Sequence, residues 1–357
     1  MNPYLSSEPW TVIKKDKIRR HLFSLAIFTF VIIQNLSFVW AESNEATVLR
    51  LGHFPNVTHA QAVLAHGSGE FEKAIGVPIQ WTTFNAGPSA IAALLAGVID
   101  ATYIGPNPAM NGYVKTHGEG LRIVVGSTSG GSALVVHPDS HIKEDQDFHG
   151  KIVATPQLGN TQDITARIWF KKKGYQLKDK GGSLTLLSVD NSNQLLLFRK
   201  KEIDAAWTIE PWVSRLEIEA HGKVFLDEKS LWPDGRYITT HLIVGHKFLE
   251  KNRSLIKKLV QAHIEITQRL NADKMSAIKL LNEELKRETG KELPIAVIRS
   301  ALDRVEFTWD PLCNSLFKSA EDAYQIGFLH EHAKLDGIYD LMLLNEVLQE
   351  KKLPLIK

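Results

Sequence analysis

Three segments of the sequence place small hydrogen-bonding residues directly after a predicted strand and at the start of a predicted helix. They are residues 56–59 (Asn-Val-Thr-His), 87–89 (Gly-Pro-Ser) and 159–162 (Gly-Asn-Thr-Gln). The first turn of a helix has unpaired backbone N–H groups and a partial positive charge, so it can hold an anion without a cationic side chain. In an open α/β sheet such junctions meet at the carboxyl ends of the strands. The pattern predicts an anion-binding cleft, although Thr58, Ser89 or Asn160 taken alone could be an ordinary helix cap.

Aromatic residues stand at or just after the ends of predicted strands, namely Tyr103, Trp207 and Trp212. Such a ring can form a wall for the apolar tail of a ligand, or it can close the core of its own domain, and both interpretations stay open. Residues 126–132 (Gly-Ser-Thr-Ser-Gly-Gly-Ser) are expected to be flexible and to act as a hinge, a ligand loop or both. They are not a P-loop, because no Gly-Lys-Ser/Thr follows them.

Signatures of catalysis are missing from the sequence, which has no Gly-x-Ser-x-Gly elbow and no His-Glu-x-x-His motif. Glu210 is an isolated acid and is expected to be structural. His330 and His332 flank Glu331 at a spacing that directs the two imidazoles to different sides of a helix, so no metal site is expected there. His59 lies in a loop, where a ligand contact and a structural hydrogen bond are equally open. We therefore expect a protein that is not an enzyme and that has no metal and no cofactor.

The elements that must position these residues alternate between strand and helix. Strands are predicted at 48–52, 79–84 and 100–104, and again at 151–154, 184–189 and 203–207, with helices between them. This alternation predicts mainly parallel sheets. An Ile-Asp-Ala tripeptide around Asp100 recurs around Asp204, an offset of 104 residues, and the order of elements around both is the same. We interpret the repeat as two lobes, followed from His246 by a mostly helical tail in which residues 248–287 have helical periodicity.

The first 41 residues have the pattern of a secretory signal peptide. Five basic side chains precede an apolar run at 22–33, and Ala41 is a suitable residue for cleavage. The run is short for a membrane span, although its retention as an anchor stays open. The single cysteine, Cys313, lies far from this segment, so neither a lipid anchor nor an internal disulfide is expected. Cleavage would change the formal net charge from +2 to −1, so nucleic acid is not an expected partner.

Longer segments resemble the periplasmic binding proteins of the nitrate/sulfonate/taurine importer family, and most of all the aliphatic-sulfonate binders. These segments are residues 54–60, 84–88, 96–101 and 155–163, together with Glu210-Pro211-Trp212 and residues 231–235. The resemblance spans nearly the whole chain after the signal segment. It implies a type II periplasmic-binding-protein fold, an α/β architecture in which two lobes close over a ligand about a hinge. Lobe 1 would contain residues 46–130 and 245–357, and lobe 2 residues 131–244.

The same resemblance implies that the protein captures a small anionic solute, most specifically an aliphatic sulfonate. It would be a monomeric periplasmic component of an ABC transporter that delivers the solute to a membrane permease powered by an ATPase. The residues implied to contact the ligand are Asn56, Thr58, His59, Gly87, Pro88, Ser89, Asn107, Ser129, Gly130, Gly131, Asn160, Thr161, Gln162 and Trp207. No other cofactor or macromolecular partner is implied.

Other ligands of such proteins stay open, namely nitrate, taurine, bicarbonate and a thiamine pyrimidine precursor. No carboxylate pair suited to the ammonium group of taurine is apparent, which favours a plain alkanesulfonate. An enzyme of the desulfinase type on the same fold is a less favoured alternative, because it would need a cysteine nucleophile in the N-terminal lobe and Cys313 lies in the helical tail. A sensory ligand-binding domain is a third possibility.

Overall fold

The computed structural model describes residues 46–357; the predicted signal peptide, residues 1–41, lies outside them. The strands in this range are β1 (Leu49–His53), β2 (Ile79–Thr83), β3 (Ala101–Ile104), β4 (Leu121–Gly130), β5 (Ser132–Val136), β6 (Ile152–Thr155), β7 (Thr185–Ser188), β8 (Ala205–Ile209), β9 (Lys223–Asp227), β10 (Ile238–Gly245) and β11 (Val305–Phe307). The helices are α1 (Ala60–Ser68), α2 (Glu70–Ile75), α3 (Gly87–Leu95), α4 (Pro106–Lys115), α5 (Thr161–Lys172), α6 (Asn191–Arg199), α7 (Trp212–Ala220), α8 (His246–Lys251), α9 (Arg253–Ala272), α10 (Ile278–Thr289), α11 (Ile295–Asp303), α12 (Cys313–Gln325) and α13 (Met342–Glu350), with short 3₁₀ turns between some of them.

The strands form two sheets, each with its own helices, and we call these two halves lobe 1 and lobe 2. The sheet of lobe 1 has the order β11-β4-β10-β3-β1-β2, and that of lobe 2 the order β7-β6-β8-β5-β9. Three neighbouring strands pair in parallel in each sheet, β1 to β3 in one and β6 to β8 in the other. All other pairings in the two sheets are antiparallel. The predicted α/β class and the division into two lobes are confirmed.

The Ile-Asp-Ala repeat has the same structural role in both lobes. The Asp100 carboxylate accepts a hydrogen bond from the Arg50 backbone N–H (2.9 Å), and the Asp204 carboxylate accepts one from Ile152 N–H (2.8 Å). The backbone N–H of each aspartate donates in return to the carbonyl of the same partner residue. Each aspartate therefore ties the start of its central strand to the start of the neighbouring parallel strand.

Within residues 46–357, the chain crosses between the lobes at two places, after β4 and between β9 and β10. The first crossing follows Gly130 and Gly131, both with positive φ, at the predicted boundary between residues 130 and 131. The second differs from the sequence-based boundary, which assigned residues 238–244 to lobe 2. The structure places them in β10, between β3 and β4 of the lobe 1 sheet. β10 has the same position in the lobe 1 sheet as β5 has in the lobe 2 sheet. Val244 of β10 pairs with Ala101 at the start of β3, and Val136 of β5 pairs with Ala205 at the start of β8.

The segment 126–132 is not the flexible loop that its composition predicts. Most of it belongs to β4, which pairs with β10 on one side and β11 on the other. Ser127, Thr128 and Ser129 are buried and hydrogen-bonded within the lobe. Neighbouring strands on both sides satisfy the backbone of these small residues, and this pairing outweighs their intrinsic preference for turns. Within this segment, only Gly130 and Gly131 have positive φ, and the chain passes from lobe 1 to lobe 2 at these two residues.

Most of the helical tail packs on lobe 1. Apolar side chains of α9, α10, α11 and α13 form one core with β1 and α1, and α12 contributes to a second core with α3 and α4. The predicted helical region 248–287 is divided among α8, α9 and α10. Its main interruption is at Asp273, whose backbone is extended and whose carboxylate accepts hydrogen bonds from the N–H groups of Met275 and Ser276. A side chain that caps the following turn competes with continuation of the helix.

Two of the three aromatic residues at strand ends close the cores of their own lobes. Trp207 is fully buried among Phe148, Trp169 and other residues of lobe 2, and its indole N–H donates to the Glu228 carboxylate (2.8 Å). Tyr103 is fully buried in lobe 1, where its hydroxyl lies 2.8 Å from His263 Nδ1. Trp207 and Tyr103 therefore lie in the cores of their lobes and not on the wall of a ligand cavity.

Polar contacts join the lobes. Arg304 of lobe 1 forms an ion pair with Glu210 (2.9 Å) at the end of β8 and a second one with Glu217. Glu210 is therefore not an isolated acid; its burial raises its pKa to about 7 although Arg304 lowers it. Lys172 at the end of α5 pairs with Asp322 of α12 (3.0 Å). These ion pairs connect the two lobes to each other.

Candidate ligand-binding site

A small cavity lies between the lobes where the carboxyl ends of the parallel strands meet. It is lined by Phe54, Asn56, Thr58, His59, Asn85, Gly105, Asn160, Thr161, Gln162, Asn191, Ile209, Thr239 and Thr240. These residues follow β1, β2, β3, β6 and β7, end β8, or begin the antiparallel strand β10. The volume open to the centre of a water-sized sphere is about 20 Å³, little more than one water molecule requires. The site is therefore small and suited to a compact polar group.

Four helices begin at this cavity. Gly105 is the N-cap of α4, Asn160 is the N-cap of α5, Asn191 is the first residue of α6, and Asn85 lies next to the N-cap of α3. None of the N-caps of α3, α4 and α5 has a side-chain cap hydrogen bond. The positive ends of helices from both lobes thus face one small space, which is favourable for a negatively charged group.

The cavity lining has no formally charged side chain at neutral pH. Its only titratable residue is His59, and burial lowers the pKa of this imidazole well below its ordinary value, with a further contribution from His53. His59 Nδ1 accepts a hydrogen bond from Phe54 N–H (3.2 Å), so the proton of the neutral ring is on Nε2. An anion bound here would be held by neutral donors and helix dipoles.

Two hydroxyl groups of the lining are fully buried and have no hydrogen-bond partner. Thr161 Oγ1 in lobe 2 and Thr240 Oγ1 in lobe 1 are both buried and unpaired. An unpaired hydroxyl in a protein interior costs free energy of about 1–3 kcal/mol. A ligand that accepts or donates at these atoms would recover that cost, so the two hydroxyls mark where a polar ligand atom belongs.

Hydrogen bonds orient the other amide groups of the site. Asn160 Nδ2 donates to Gln162 Oε1 (2.9 Å), and Gln162 Nε2 donates to Ser132 Oγ (3.0 Å). Across the lobes, Gly87 N–H donates to Asn160 Oδ1 (3.4 Å) and Trp212 Nε1–H donates to Asn56 Oδ1 (3.2 Å).

A second, outer cavity of about 40 Å³ adjoins the first. It shares Asn56, Asn85 and Asn191 with the inner cavity and is otherwise lined by Pro55, Phe84, Asp190, Ser192 and Trp212. Apolar rings on two sides and one carboxylate at the edge distinguish it from the uncharged polar inner cavity. The two cavities together form a polar pocket with a partly apolar exit.

Six of the residues implied by the family resemblance line the inner cavity: Asn56, Thr58, His59, Asn160, Thr161 and Gln162. Gly87 contacts Asn160 from the opposite lobe, and Pro88 follows it in the first turn of α3. Ser129, Gly130 and Gly131 lie at the crossing at the end of β4, near the same edge of the sheet.

Three of the implied residues lie elsewhere. The Ser89 hydroxyl donates to Ala86 O (2.8 Å) within the first turn of α3. Asn107 is buried against α12, where its Oδ1 accepts from Ser319 Oγ (2.9 Å). Trp207 belongs to the lobe 2 core, whereas Trp212 lines the outer cavity. A ligand role for these three residues stays a prediction that their positions do not favour.

Sequence reasoning missed several lining residues. Gly105 and Asn191 follow the same strand-to-helix pattern as the predicted junctions, so the same signal would have found them. Thr239 and Thr240 had no such signal, because they begin an antiparallel strand whose place in lobe 1 depends on the second crossing. Cys313, the cysteine considered for an enzyme, lines a different cavity with Trp232 and Lys318.

The fold identifies a class of protein. The alkanesulfonate-binding protein SsuA from Xanthomonas axonopodis pv. citri superposes with a TM-score of 0.69 over 83% of this chain and 99% of its own, at 20% sequence identity. The two-lobed α/β fold of periplasmic binding proteins is therefore the fold of this chain. The chain belongs to the NMT1-like family, whose model matches residues 42–282.

Two curated relatives share part of the sequence. A putative binding protein of Brucella abortus is 26% identical over 197 residues, 55% of this chain and 58% of the relative. The taurine-binding periplasmic protein of Escherichia coli is 23% identical over 208 residues, 58% of this chain and 62% of the relative. Each match spans less than two thirds of the relative's length. Among residues 46–357, no helix has both the length and the apolar character that a membrane crossing requires.

Proposed function

We propose that this protein is the periplasmic solute-binding component of an ABC importer, that it captures an aliphatic sulfonate between its lobes, and that it delivers this solute to a membrane permease powered by an ATPase. It acts without chemistry on the solute. The fold and family membership support the binding role, and the names of the alkanesulfonate-binding and taurine-binding proteins to which the chain is similar support the sulfonate.

The observation that carries this proposal is the uncharged ring of donors around the inner cavity. Helices from both lobes begin there, and Thr161 of lobe 2 and Thr240 of lobe 1, whose hydroxyls are unpaired, both line this small space. A sulfonate has three oxygens that accept hydrogen bonds and one delocalised negative charge, which neutral donors and helix dipoles can satisfy. The small volume favours such a head group over a pyrimidine ring.

The outer cavity provides a place for the organic part of the ligand. Phe84 and Trp212 line it, and Trp212 is fixed by its hydrogen bond to Asn56 and by the Arg215 guanidinium 4.5 Å from its ring centre. Burial of each methylene group against such walls contributes about 0.8 kcal/mol. The tail wall that the sequence suggested at Trp207 is thus assigned instead to Trp212.

A second candidate ligand is an aminosulfonate of the taurine type. Asp190 lines the outer cavity, into which the tail of a sulfonate bound in the inner cavity would extend. Its carboxylate accepts hydrogen bonds from Ser192 and Asn193 at the start of α6, so its position is fixed. A single ammonium group on a short tail could pair with this carboxylate.

Thermal denaturation of the purified full-length protein with a panel of ligands tests the proposal. The panel contains methanesulfonate, longer alkanesulfonates, taurine, nitrate, bicarbonate and a thiamine pyrimidine. A ligand that binds only the native state raises the melting temperature. We expect a rise with the sulfonates; a rise with nitrate, bicarbonate or the pyrimidine alone would overturn the assignment. If taurine binds most tightly, the Asp190→Asn variant should bind taurine no more tightly than ethanesulfonate.

Replacement of the outer wall tests where the tail lies. Trp212→Ala should weaken binding of a butanesulfonate by about tenfold or more while methanesulfonate loses less, because only the longer tail contacts the ring. Isothermal titration calorimetry measures both affinities. Equal losses for the two ligands would contradict the tail position, and Phe317→Ala, an exposed aromatic position on α12, is the control.

A further inference from the structure

Two imidazoles and a carboxylate converge behind β1, on the side of lobe 1 covered by the helical tail. His53 Nε2 lies 2.6 Å and His66 Nδ1 2.8 Å from the same oxygen, Oε1 of Glu288. His53 ends β1, His66 lies in the last turn of α1, and Glu288 lies in the last turn of α10. The three ligand atoms all lie within 4.8 Å of one another.

We propose that His53, His66 and Glu288 bind a divalent transition-metal ion of the Zn²⁺ type. Two imidazole nitrogens and one carboxylate oxygen form a ligand set that Zn²⁺ and Co²⁺ accept, with a further position left for water or another side chain. Glu284, one helical turn before Glu288, is a fourth candidate ligand, since its Oε1 lies 2.9 Å from His66 Nδ1.

Unpaired atoms in the cluster suit a cation. Both imidazole contacts go to one carboxylate oxygen, Oε1 of Glu288. Its second oxygen, Oε2, is buried and has no partner, and Nδ1 of the fully buried His53 is also unpaired. Oε2 therefore has free lone pairs for an ion, and His53 would bind it through Nε2 with its proton on Nδ1.

The geometry requires only a small adjustment. Bonds of about 2.1 Å in tetrahedral coordination place ligand atoms about 3.4 Å apart, so the contacts of 2.6 and 2.8 Å must lengthen by about 0.6–0.8 Å. His66 can move, because its side chain is 19% exposed, whereas His53 is fixed in the interior. Trp81 stacks on the His66 ring at 4.6 Å and covers the cluster from the side of β2.

The site would join three separate parts of lobe 1. Residues from β1, α1 and α10 meet in it, and the last two belong to segments more than 200 residues apart. The ion would thus stabilise the packing of the helical tail on the sheet. This role is independent of the solute in the inner cavity, since none of the three side chains lines that cavity.

Metal binding by the full-length chain, without a polyhistidine tag and stripped of metal with EDTA, tests the proposal. Calorimetric titration with ZnCl₂ should give one tight equivalent, and addition of Co²⁺ should give the visible absorption bands of a four-coordinate ion. Zn²⁺ should also raise the melting temperature. Absence of a tight equivalent in the unaltered protein would overturn the proposal.

Variants locate the ion. Glu288→Gln and His66→Ala should each weaken Zn²⁺ binding by about 100-fold, and the Co²⁺ bands should change. His246→Ala is the matched control, because His246 is also a 20% exposed histidine beside two glutamates, at 3.6 and 3.5 Å, and should leave binding unchanged. Circular dichroism reports folding; if Glu288→Gln does not fold, the partly exposed His66 decides the test. Unchanged affinity in the folded variants would place the ion elsewhere and refute the site.

Discussion

At the scale of single residues, the inner cavity divides its polar groups into two kinds. Amides such as Asn160 and Gln162 are held by hydrogen bonds to one another and to the protein, so they fix the shape of the site. The hydroxyls of Thr161 and Thr240 are buried without a partner, so they are available to a ligand. The protein retains a small energetic cost at these two atoms that a bound solute can remove.

Removal of either hydroxyl should separate ligand affinity from stability. Thr161→Val and Thr240→Val should each weaken sulfonate binding by about tenfold, the value of one lost hydrogen bond to an anion. The ligand-free melting temperature should stay the same or rise, because the substitution removes an unsatisfied polar group. Calorimetric titration and thermal denaturation measure the two effects.

Thr165→Val serves as the control for these variants. Thr165 lies one turn further along α5, and its hydroxyl already contacts Thr161 O (3.2 Å) and Glu228 (3.3 Å). This variant should lose stability and keep its affinity, the opposite of the result expected at position 161. Full affinity in both cavity variants would show that the unpaired hydroxyls do not contact the solute.

At the scale of elements, two helices from different lobes begin close to each other at the cavity. Gly105 caps α4 and Thr161 begins α5; a Cβ atom added at Gly105 would lie 2.5 Å from Thr161 Oγ1. The backbone of Gly105 has a negative φ, so its conformation suits any residue. Only the approach of the two helix ends requires a glycine here.

Gly105→Ala should therefore hinder closure without harming either lobe. Overpacking that occurs only in the closed state costs about 1–3 kcal/mol, which would lower solute affinity by about 10- to 100-fold. Calorimetry measures this loss, and small-angle scattering should show a larger radius of gyration with solute than the unaltered protein has. Gly245→Ala is the control, because the nearest contact of its added Cβ is 3.5 Å, within lobe 1. Equal affinity of Gly105→Ala and the unaltered protein would argue against this interface as the closing surface.

At the scale of the whole molecule, buried acids make the stability depend on pH. Glu228 lies in lobe 2 under Trp207, and burial raises its pKa from 4.5 to about 7 although hydrogen bonds, including the one from Trp207, act in the opposite direction. The folded state therefore holds this proton more firmly than the unfolded state does. Its contribution to stability is complete below about pH 4.5 and is lost as the pH rises towards 7.

Glu228→Gln should reduce the fall of the melting temperature between about pH 5 and pH 7.5. The amide has no proton to lose, and its oxygen can still accept the hydrogen bond from Trp207. Calorimetric scans at several pH values measure the change relative to the unaltered protein. Glu250→Gln, at a position 63% exposed, should leave the pH dependence as it is. If the melting temperature of Glu228→Gln falls as much as that of the unaltered protein, the Glu228 carboxyl group does not govern the pH dependence.

Much of the fold and half of the site could be predicted from local sequence. The alternation of strands and helices and the two Ile-Asp-Ala segments indicate two similar sheets, because each aspartate acts on a strand of its own lobe. The junctions at 56–59 and 159–162 were predictable because the start of a helix after a strand is a local event. Parallel strands then bring such junctions to one edge without further information.

The amino-acid sequence by itself thus determined the α/β class and the polar, uncharged character of the cleft. The tertiary structure alone decided what depends on long-range pairing. It placed β10 in the first sheet and so brought Thr240 to the cavity; it buried Trp207 in a core and put Trp212 at the exit. It also brought His53 to Glu288, 235 residues along the chain. Contacts between distant segments depend on how whole sheets and helices pack, and that packing leaves no periodic signal in a short stretch of sequence.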